Sequence, residues 1–438
     1  MKVPDAERGA QGAEWALAAC MLLVLLAAPS AAAQQRPIAI RGGTVITLTG
    51  DPIPNGIVVM QGGKITAVGA GVSIPSGAEI VDASGKYVMP GLVDAMASIG
   101  FSASDLNEAS NPVTPELRAF EAYNPFSPFG GGKPGPIRNE EALSGGVTTM
   151  YIAPADASLI GGQGAVVKTA GANLDGLIVR EPAAIDMTLG EPPKRPARAQ
   201  NRDPFTRMAE VAMIRQTLIK AQEYTANRER TPTTPRDLGM EALGRLLKKE
   251  IPARIQANRA SDMRVAIGLA EEFGFDLILD GAASAEQHAS LLASRKIPVV
   301  LGQVSHPFVS NEEIPDRSDY PPVDERLPGK LVAAGVKVAL ASFSRSFGTL
   351  APAGTGKWLL LDGSIAAGYG MAENDILKAV TIHPAEILGI SARVGSLAAG
   401  KDADVLVLDG PPLSIRTWVE RVYVNGELAH TRKAPTER

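Results

Sequence analysis

The chain has 438 residues, of which 45% are hydrophobic and 21% are charged, so it can bury a core for one barrel with an appended unit or for two to three ordinary domains. A formal net charge of −4 and the lack of a Lys/Arg-rich run give no reason to expect a nucleic-acid partner. The single cysteine is Cys20, which leaves the rest of the chain without disulfides or thiolate metal ligands.

The N-terminal segment has the pattern of a secretory signal. Residues 16–28 form an apolar run that is too short to span a bilayer, and a stretch of small residues ending at Ala33 follows it. Cys20 lies near the beginning of the apolar run rather than at its end, which disfavours a lipoprotein anchor. We therefore expect residues 1–33 to be cleaved, and the remainder to be periplasmic or secreted without a membrane anchor.

The two ends of the remaining chain differ in character from its middle. Residues 37–89 and 386–430 consist of short Val/Ile/Thr-rich runs separated by Gly-Gly, Ser-Gly and Asn-Gly turns. Residues 90–385 alternate strand-like and helix-like segments, with an amphipathic run over 207–228. This alternation predicts parallel βα units. The expected fold class is α/β, with a (β/α)8 TIM-type barrel over the middle and a small β-sandwich built from both chain ends.

Two stretches within the middle are rich in Gly, Pro and charged residues. They are residues 124–136 and 189–204. This composition predicts long loops, which on a barrel tend to cover the active face.

Several motifs, taken in order, resemble those of the amidohydrolase superfamily, in particular its secreted imidazolonepropionase- and prolidase-like branch. They are "VMPGLVDA", "ALSGGVTTM", "GGQGAVVKTAG", "ARIQANRASDM", "AGVKVALAS", "TIHPAEILGI" and "RVGSLAAGKDADVLVLDGPPL". The resemblance covers nearly the whole chain after the signal. It implies a metal-bearing barrel that hydrolyses amide-like C–N bonds, in which divalent ions activate a water and a carboxylate accepts its proton.

The resemblance also implies where the metal ligands of this family should lie. Its members supply His-x-His after the first barrel strand, one His after each of the fifth and sixth strands, and an Asp after the eighth. In this chain those positions fall on Met96, Ser98, Gln256, Gly281 and Phe343. None of these side chains is a good ligand for Zn²⁺. The expected metal site is therefore vacated, and no cofactor is expected.

Other residues are candidates to replace these ligands. His306 follows a strand-like run and can point into the barrel mouth, whereas the other three histidines fit structural positions better. Lys168 matches the lysine that bridges two metals in some relatives, or else is a packed, salt-bridged lysine. Asp280 precedes Gly281, and strand alternation predicts that it faces away from the site. The possible pocket residues are thus Lys168, Asn258, Arg259 and His306.

Three hypotheses follow. The first is a non-catalytic scaffold that binds a small amide or peptide-like ligand, or that forms a homo-oligomer or a hetero-oligomer with an active relative. The second is an active hydrolase of cyclic amides or dipeptides that works through a rearranged site, with a divalent metal such as Zn²⁺ needed only in this case. The third is a structural protein without a ligand pocket.

Overall fold

The computed structural model describes residues 36–102, 105–126, 137–302, 304, 324–342 and 356–433. The strands, in chain order, are β1 (Ile38–Val45), β2 (Ile53–Gln61), β3 (Lys64–Gly69), β4 (Glu79–Asp82), β5 (Tyr87–Pro90), β6 (Leu92–Ala97), β7 (Ile137–Arg138), β8 (Val147–Ile152), β9 (Ile160–Lys168), β10 (Ala170–Gly171), β11 (Ile178–Thr188), β12 (Ala253–Ala257), β13 (Leu277–Gly281), β14 (Val299–Gly302), β15 (Val338–Ala341), β16 (Val405–Leu408), β17 (Val419–Val424) and β18 (Glu427–Thr431).

The α-helices of the described residues pack mainly around the second sheet. They are α1 (Ala119–Ala122), α2 (Glu140–Ser144), α3 (Glu191–Ala199), α4 (Arg207–Arg230), α5 (Leu238–Leu247), α6 (Ala260–Phe273), α7 (Ala289–Arg295), α8 (Leu327–Ala333), α9 (Leu359–Gly368), α10 (Glu373–Ala379) and α11 (Ile382–Ile387). The amphipathic run beginning at Arg207 is helical as predicted. None of the helices in the described ranges is long and apolar enough to cross a membrane.

The first sheet joins the two ends of the chain. Its order is β18-β17-β16-β5-β1-β2-β3, with β4 paired to β1. The two ends meet where β5 runs antiparallel to β16, with Val88 opposite Val407. The Val- and Ile-rich inner faces of these strands bury one another, which is why neither end forms the unit alone. The predicted β-sandwich built from both chain ends is confirmed.

The second sheet is a nearly closed barrel. Its order is β15-β14-β13-β12-β11-β9-β8-β6, and β15 packs beside β6. The TIM-type barrel is confirmed, with one difference: β9 runs antiparallel to both of its neighbours. Residues 153–159, which join β8 to β9, are too few for the crossover that a parallel pair requires.

One of the two predicted loops is partly helical. Residues 189–204 contain α3, so the expectation of a long irregular loop is wrong there. Pro192 and Pro193 lie in the first turn of α3, where a helix does not need the backbone N–H that proline lacks. In the other stretch, residues 124–126 are irregular and the remainder lies outside the described residues.

Candidate functional site at the carboxyl ends of the barrel strands

The barrel strands place alternate residues on the inside and the outside. Side chains such as Val93, Ile278, Val300 and Ala339 form an interior apolar cluster, while their neighbours pack outward against the helices. Functional side chains of such barrels lie at the carboxyl ends of the strands. The site is therefore built from the last inward-facing residues of each strand and from the segments that follow.

The end of β6 carries two of the predicted positions. Met96 is 3% exposed and packs in the interior cluster, while Ser98 is half-buried. A thioether and a hydroxyl at these places do not provide the imidazole pair that Zn²⁺ would need. Phe343 and His306 lie outside the described residues, so their positions remain predictions.

Arg254 on β12 crosses the interior of the barrel. Its Nη1 donates to the carbonyl oxygen of Ala95 on β6, at 2.8 Å, and its Cζ lies 4.0 Å from the centroid of the Tyr151 ring on β8. In the sheet, β11 and β9 lie between β12 and β8, and β6 lies beyond β8. The Arg254 side chain is fully buried. This arrangement shows that the even-numbered positions of β12, including Gln256, face inward.

Asp280 receives the guanidinium of Arg254 in two parallel hydrogen bonds. Nε donates to Oδ2 at 3.0 Å and Nη2 donates to Oδ1 at 2.7 Å, the bidentate geometry that arginine forms with carboxylates. Burial alone would lower the pKa of Arg254, but Asp280 and Tyr151 reverse that effect and the pKa is raised. The cation and the carboxylate thus hold each other inside the barrel.

The position of Asp280 corrects the prediction for the sixth strand. In the β12–β13 register, Asp280 lies opposite the inward-facing Gln256. Gly281 follows at the end of the strand, with a φ of 75°. Asp280 therefore holds the inward position, and the assignment of Gly281 to it is wrong by one residue. A shift of one residue exchanges the two faces of a strand.

A second buried carboxylate lies on the other side of Arg254. Asp186 on β11 is next to Arg254 in the register of β11 and β12, and the hydroxyl of Tyr151 donates to its Oδ2 at 2.6 Å. Asp186 is 1% exposed. The strands flanking β12 therefore each contribute a buried aspartate beside the same guanidinium.

Asp94 links the two strands that close the barrel. Its carboxylate accepts from the N–H of Met96 at 3.2 Å and from both the N–H and the hydroxyl of Ser342, which follows β15. Burial raises the pKa of Asp94 to about 6, although the hydrogen bonds from Ser342 and Met96 oppose the rise. Asp94 thus supports the strand end rather than standing free in a pocket.

Lys168 lies at the opposite end of the barrel. It pairs with Thr149 near the beginning of β8, and its Nζ lies 2.7 Å from Asp404 Oδ2 and 3.1 Å from Asp402 Oδ2. It is also on the third barrel strand in chain order, whereas the resemblance implies that a bridging lysine comes from the fourth. Its assignment as a possible pocket residue is therefore corrected, and the salt-bridged alternative describes it. The physical reason is the reversal of β9, which carries its last residue away from the site.

Asn258 and Arg259 follow β12 at the end of the barrel predicted for the site. Asn258 is 8% exposed, its carbonyl oxygen accepts from the N–H of Ser284, and Arg259 is half-buried before α6. Both remain pocket candidates by position.

A group of charged side chains in the helices that follow β11 was not predicted from the sequence. On α3, Lys194 Nζ lies 2.7 Å from Glu191 Oε2, and both side chains are largely buried. Glu210 on α4 accepts from the N–H of Gly190 at 3.1 Å. Burial raises the pKa of Glu210 to about 7, although the Gly190 bond and the charges of Lys194 and Arg207 oppose the rise. The Glu-to-Lys spacing of three residues behind a strand was the available signal.

The side chains that the structure describes at these strand ends do not fit a catalytic divalent metal. The inward position of β12 is an amide, Gln256, and the inward carboxylate of β13, Asp280, has both oxygens bound by Arg254. Within the described parts of the chain, no group of three or more His, Cys, Asp or Glu residues is arranged to hold a metal ion.

The barrel, together with the sheet built from both chain ends, defines a TIM-barrel protein with an appended β-sandwich. The family model described as "Amidohydrolase family" matches residues 205–429, just over half of the chain. A crystal structure of an amidohydrolase from Thermotoga maritima MSB8 is 35% identical, with a TM-score of 0.80 over 90% of this chain and 100% of that one. The chain belongs to the amidohydrolase family.

Two further comparisons are more distant. Amidohydrolase tasK from Hapsidospora irregularis is 24% identical over 441 residues, which are 89% of this chain and 43% of that protein. This chain thus spans less than half of that relative. A crystal structure of a prolidase complexed with N-methylphosphonate-L-proline is 18% identical, with a TM-score of 0.57 over 91% of this chain and 100% of that chain, and shows a shared fold.

Proposed function

We propose that this chain is an exported, non-catalytic member of the amidohydrolase family that binds a small amide or peptide-like ligand at the carboxyl end of its barrel. The observation that carries the proposal is the set of inward side chains at the strand ends. Met96, Ser98 and Gln256 stand where the resemblance implies histidines, and none is a good metal ligand or general base. Binding without turnover is the activity that such a set supports.

The test combines metal analysis with an activity panel. Protein purified without refolding is incubated with Zn²⁺, Mn²⁺ or Co²⁺, desalted and analysed for bound metal, and then assayed against dipeptides and cyclic amides. We expect near-zero metal and no hydrolysis, together with a rise in melting temperature for the ligands that bind. One or two ions per chain, or turnover of any substrate, would refute the proposal.

A second candidate function is hydrolysis through a rearranged site. The observation that favours it is the group formed by Glu191, Lys194 and Glu210 after β11, in which Glu210 has a pKa of about 7, suitable for proton transfer near neutral pH. Turnover in the panel that is lost in Glu210→Gln and kept in the exposed-site variant Glu223→Gln would support it. Glu223 lies on the outer surface of α4.

Location and assembly are part of the proposal. The signal-like pattern of residues 1–33 supports export, and mass spectrometry of the protein recovered from its native compartment should find Gln34 at the N-terminus. For assembly we propose an oligomer with itself or with an active relative. Light scattering of the purified protein, alone and mixed with such a relative, tests both forms.

A further inference from the structure

We propose that Arg254 is a resident cation that takes the electrostatic place of a metal ion inside this barrel, neutralising the carboxylates of Asp280 and Asp186. The inference rests on the proposed function and deepens it. It explains how a barrel of this family keeps buried carboxylates on the two strands that flank β12 when its metal-binding side chains have been replaced.

The three charged side chains lie on three neighbouring strands. Arg254 lies on β12 between β11, which carries Asp186, and β13, which carries Asp280. All three residues are buried: Arg254 is 0% exposed, Asp186 is 1% exposed and Asp280 is 5% exposed. Isolated buried carboxylates are strongly disfavoured unless a positive charge and hydrogen bonds compensate them. A cation at this place in the barrel therefore stabilises the charged forms of both carboxylates.

The guanidinium of Arg254 supplies this positive charge directly. It binds both oxygens of Asp280, and it lies against the ring of Tyr151, whose hydroxyl is bonded to Asp186. The positive charge thus contacts one carboxylate and reaches the other through a polarised phenol. Arginine remains protonated at any physiological pH, so this charge is permanent.

The guanidinium of Arg254 and a divalent ion would compete for the same carboxylate oxygens. A metal ion bound at Asp280 would lie within a few ångströms of the guanidinium, in a region of low dielectric where like charges repel strongly. Removing the arginine charge should therefore leave a site of oxygen donors from Asp280, Asp186, Tyr151 and the Ala95 carbonyl. Hard oxygen donors of this kind favour Mn²⁺ and Ca²⁺.

The test replaces Arg254 by an uncharged side chain of similar length. In Arg254→Met we expect a lower melting temperature than in the wild type, and a rise of several degrees on addition of millimolar Mn²⁺. The wild type and Arg254→Lys, which keeps a cation, should show no such rise. The double variant Arg254→Met with Asp280→Asn should regain stability without Mn²⁺ and lose the response to it.

Each outcome decides the inference. If the melting temperature of Arg254→Met does not change on addition of Mn²⁺ or Ca²⁺, the inference is overturned. If Arg254→Met is insoluble, a soluble double variant supports neutralisation of Asp280, and an equally insoluble double variant counts against it. Metal in the wild-type protein would instead refute the proposed function, so the two failures are distinguishable.

Discussion

The carboxylate of Asp94 accepts two hydrogen bonds from Ser342, one from the backbone N–H at 3.0 Å and one from the hydroxyl. Asp94 lies on the first barrel strand, and Ser342 follows the eighth. Hydrogen bonds to a buried carboxylate are among the stronger ones in a protein. This pair therefore stabilises the contact between the first and eighth strands, at the end of the barrel where the site lies.

The raised pKa of Asp94 predicts how the free energy of unfolding depends on pH. Its pKa rises from 3.8 to about 6 on folding, so the folded state binds the proton more tightly, and its stabilising effect is full at low pH and lost as the pH rises through about 6. The free energy of unfolding of the wild type relative to Asp94→Asn should therefore increase as the pH falls from 7 to 4, by up to roughly 3 kcal/mol.

Denaturant titrations at several pH values measure this difference. Asp82→Asn is a useful control, because Asp82 is exposed and hydrogen bonds from Ser84 lower its pKa, so its effect has the opposite sign. Equal slopes for the two variants would contradict the role of Asp94.

Glu210 should control the beginning of α3. It accepts from the N–H of Gly190, the residue that precedes the helix, and burial raises its pKa from 4.5 to about 7. Because the folded-state pKa is raised, its contribution to stability falls as the pH rises through 7. Glu210→Gln should flatten the stability profile between pH 5 and 8. Glu241→Gln, an ion-paired surface control with a pKa lowered to about 2, should not.

The junction of the barrel and the sandwich should depend on Lys168. Replacing it by methionine leaves the buried Asp404 without its ion-pair partner at 2.7 Å, whereas Asp402 keeps Lys64 and Arg393. Loss of one partner of a buried pair costs about 3–5 kcal/mol. Lys86→Met removes a partly exposed pair with Glu420 and should cost less than about 1 kcal/mol. Chemical denaturation compares the two variants, and similar losses would contradict a special role for Lys168.

The glycine at position 164 should be required for the contact between Tyr151 and Asp186. A Cβ at Gly164 would lie 2.0 Å from the Tyr151 hydroxyl oxygen, so Gly164→Ala must displace the ring and its hydrogen bond. Overpacking of this kind costs about 1–3 kcal/mol. At Gly161 on the same strand the nearest atom is 3.5 Å away, so Gly161→Ala should be well tolerated. Thermal unfolding of both variants tests the difference.

Much of the architecture could be predicted from the sequence because it depends on local patterns. The Val- and Ile-rich runs with Asn-Gly and Gly-Gly turns identify the two ends as strands, and alternation of strand-like and helix-like segments identifies the barrel. The resemblance of the motif around Met96 and of the "ARIQANR" motif to the amidohydrolase family places Met96 and Gln256 near the ends of their strands. Local propensity suffices for the strands and helices, and the resemblance supplies these positions.

The tertiary structure alone decided which groups meet. Whether Asp280 or Gly281 faces inward depends on the register between β12 and β13, and one residue reverses the answer. Lys168 contacts Asp404, 236 residues later in the chain, because β9 is reversed. Arg254 contacts Ala95 and Tyr151 only because the sheet curves into a nearly closed barrel. Burial then decides the charge state and partner of each group, since the cost of an unpaired charge arises only after the chain has excluded water around it.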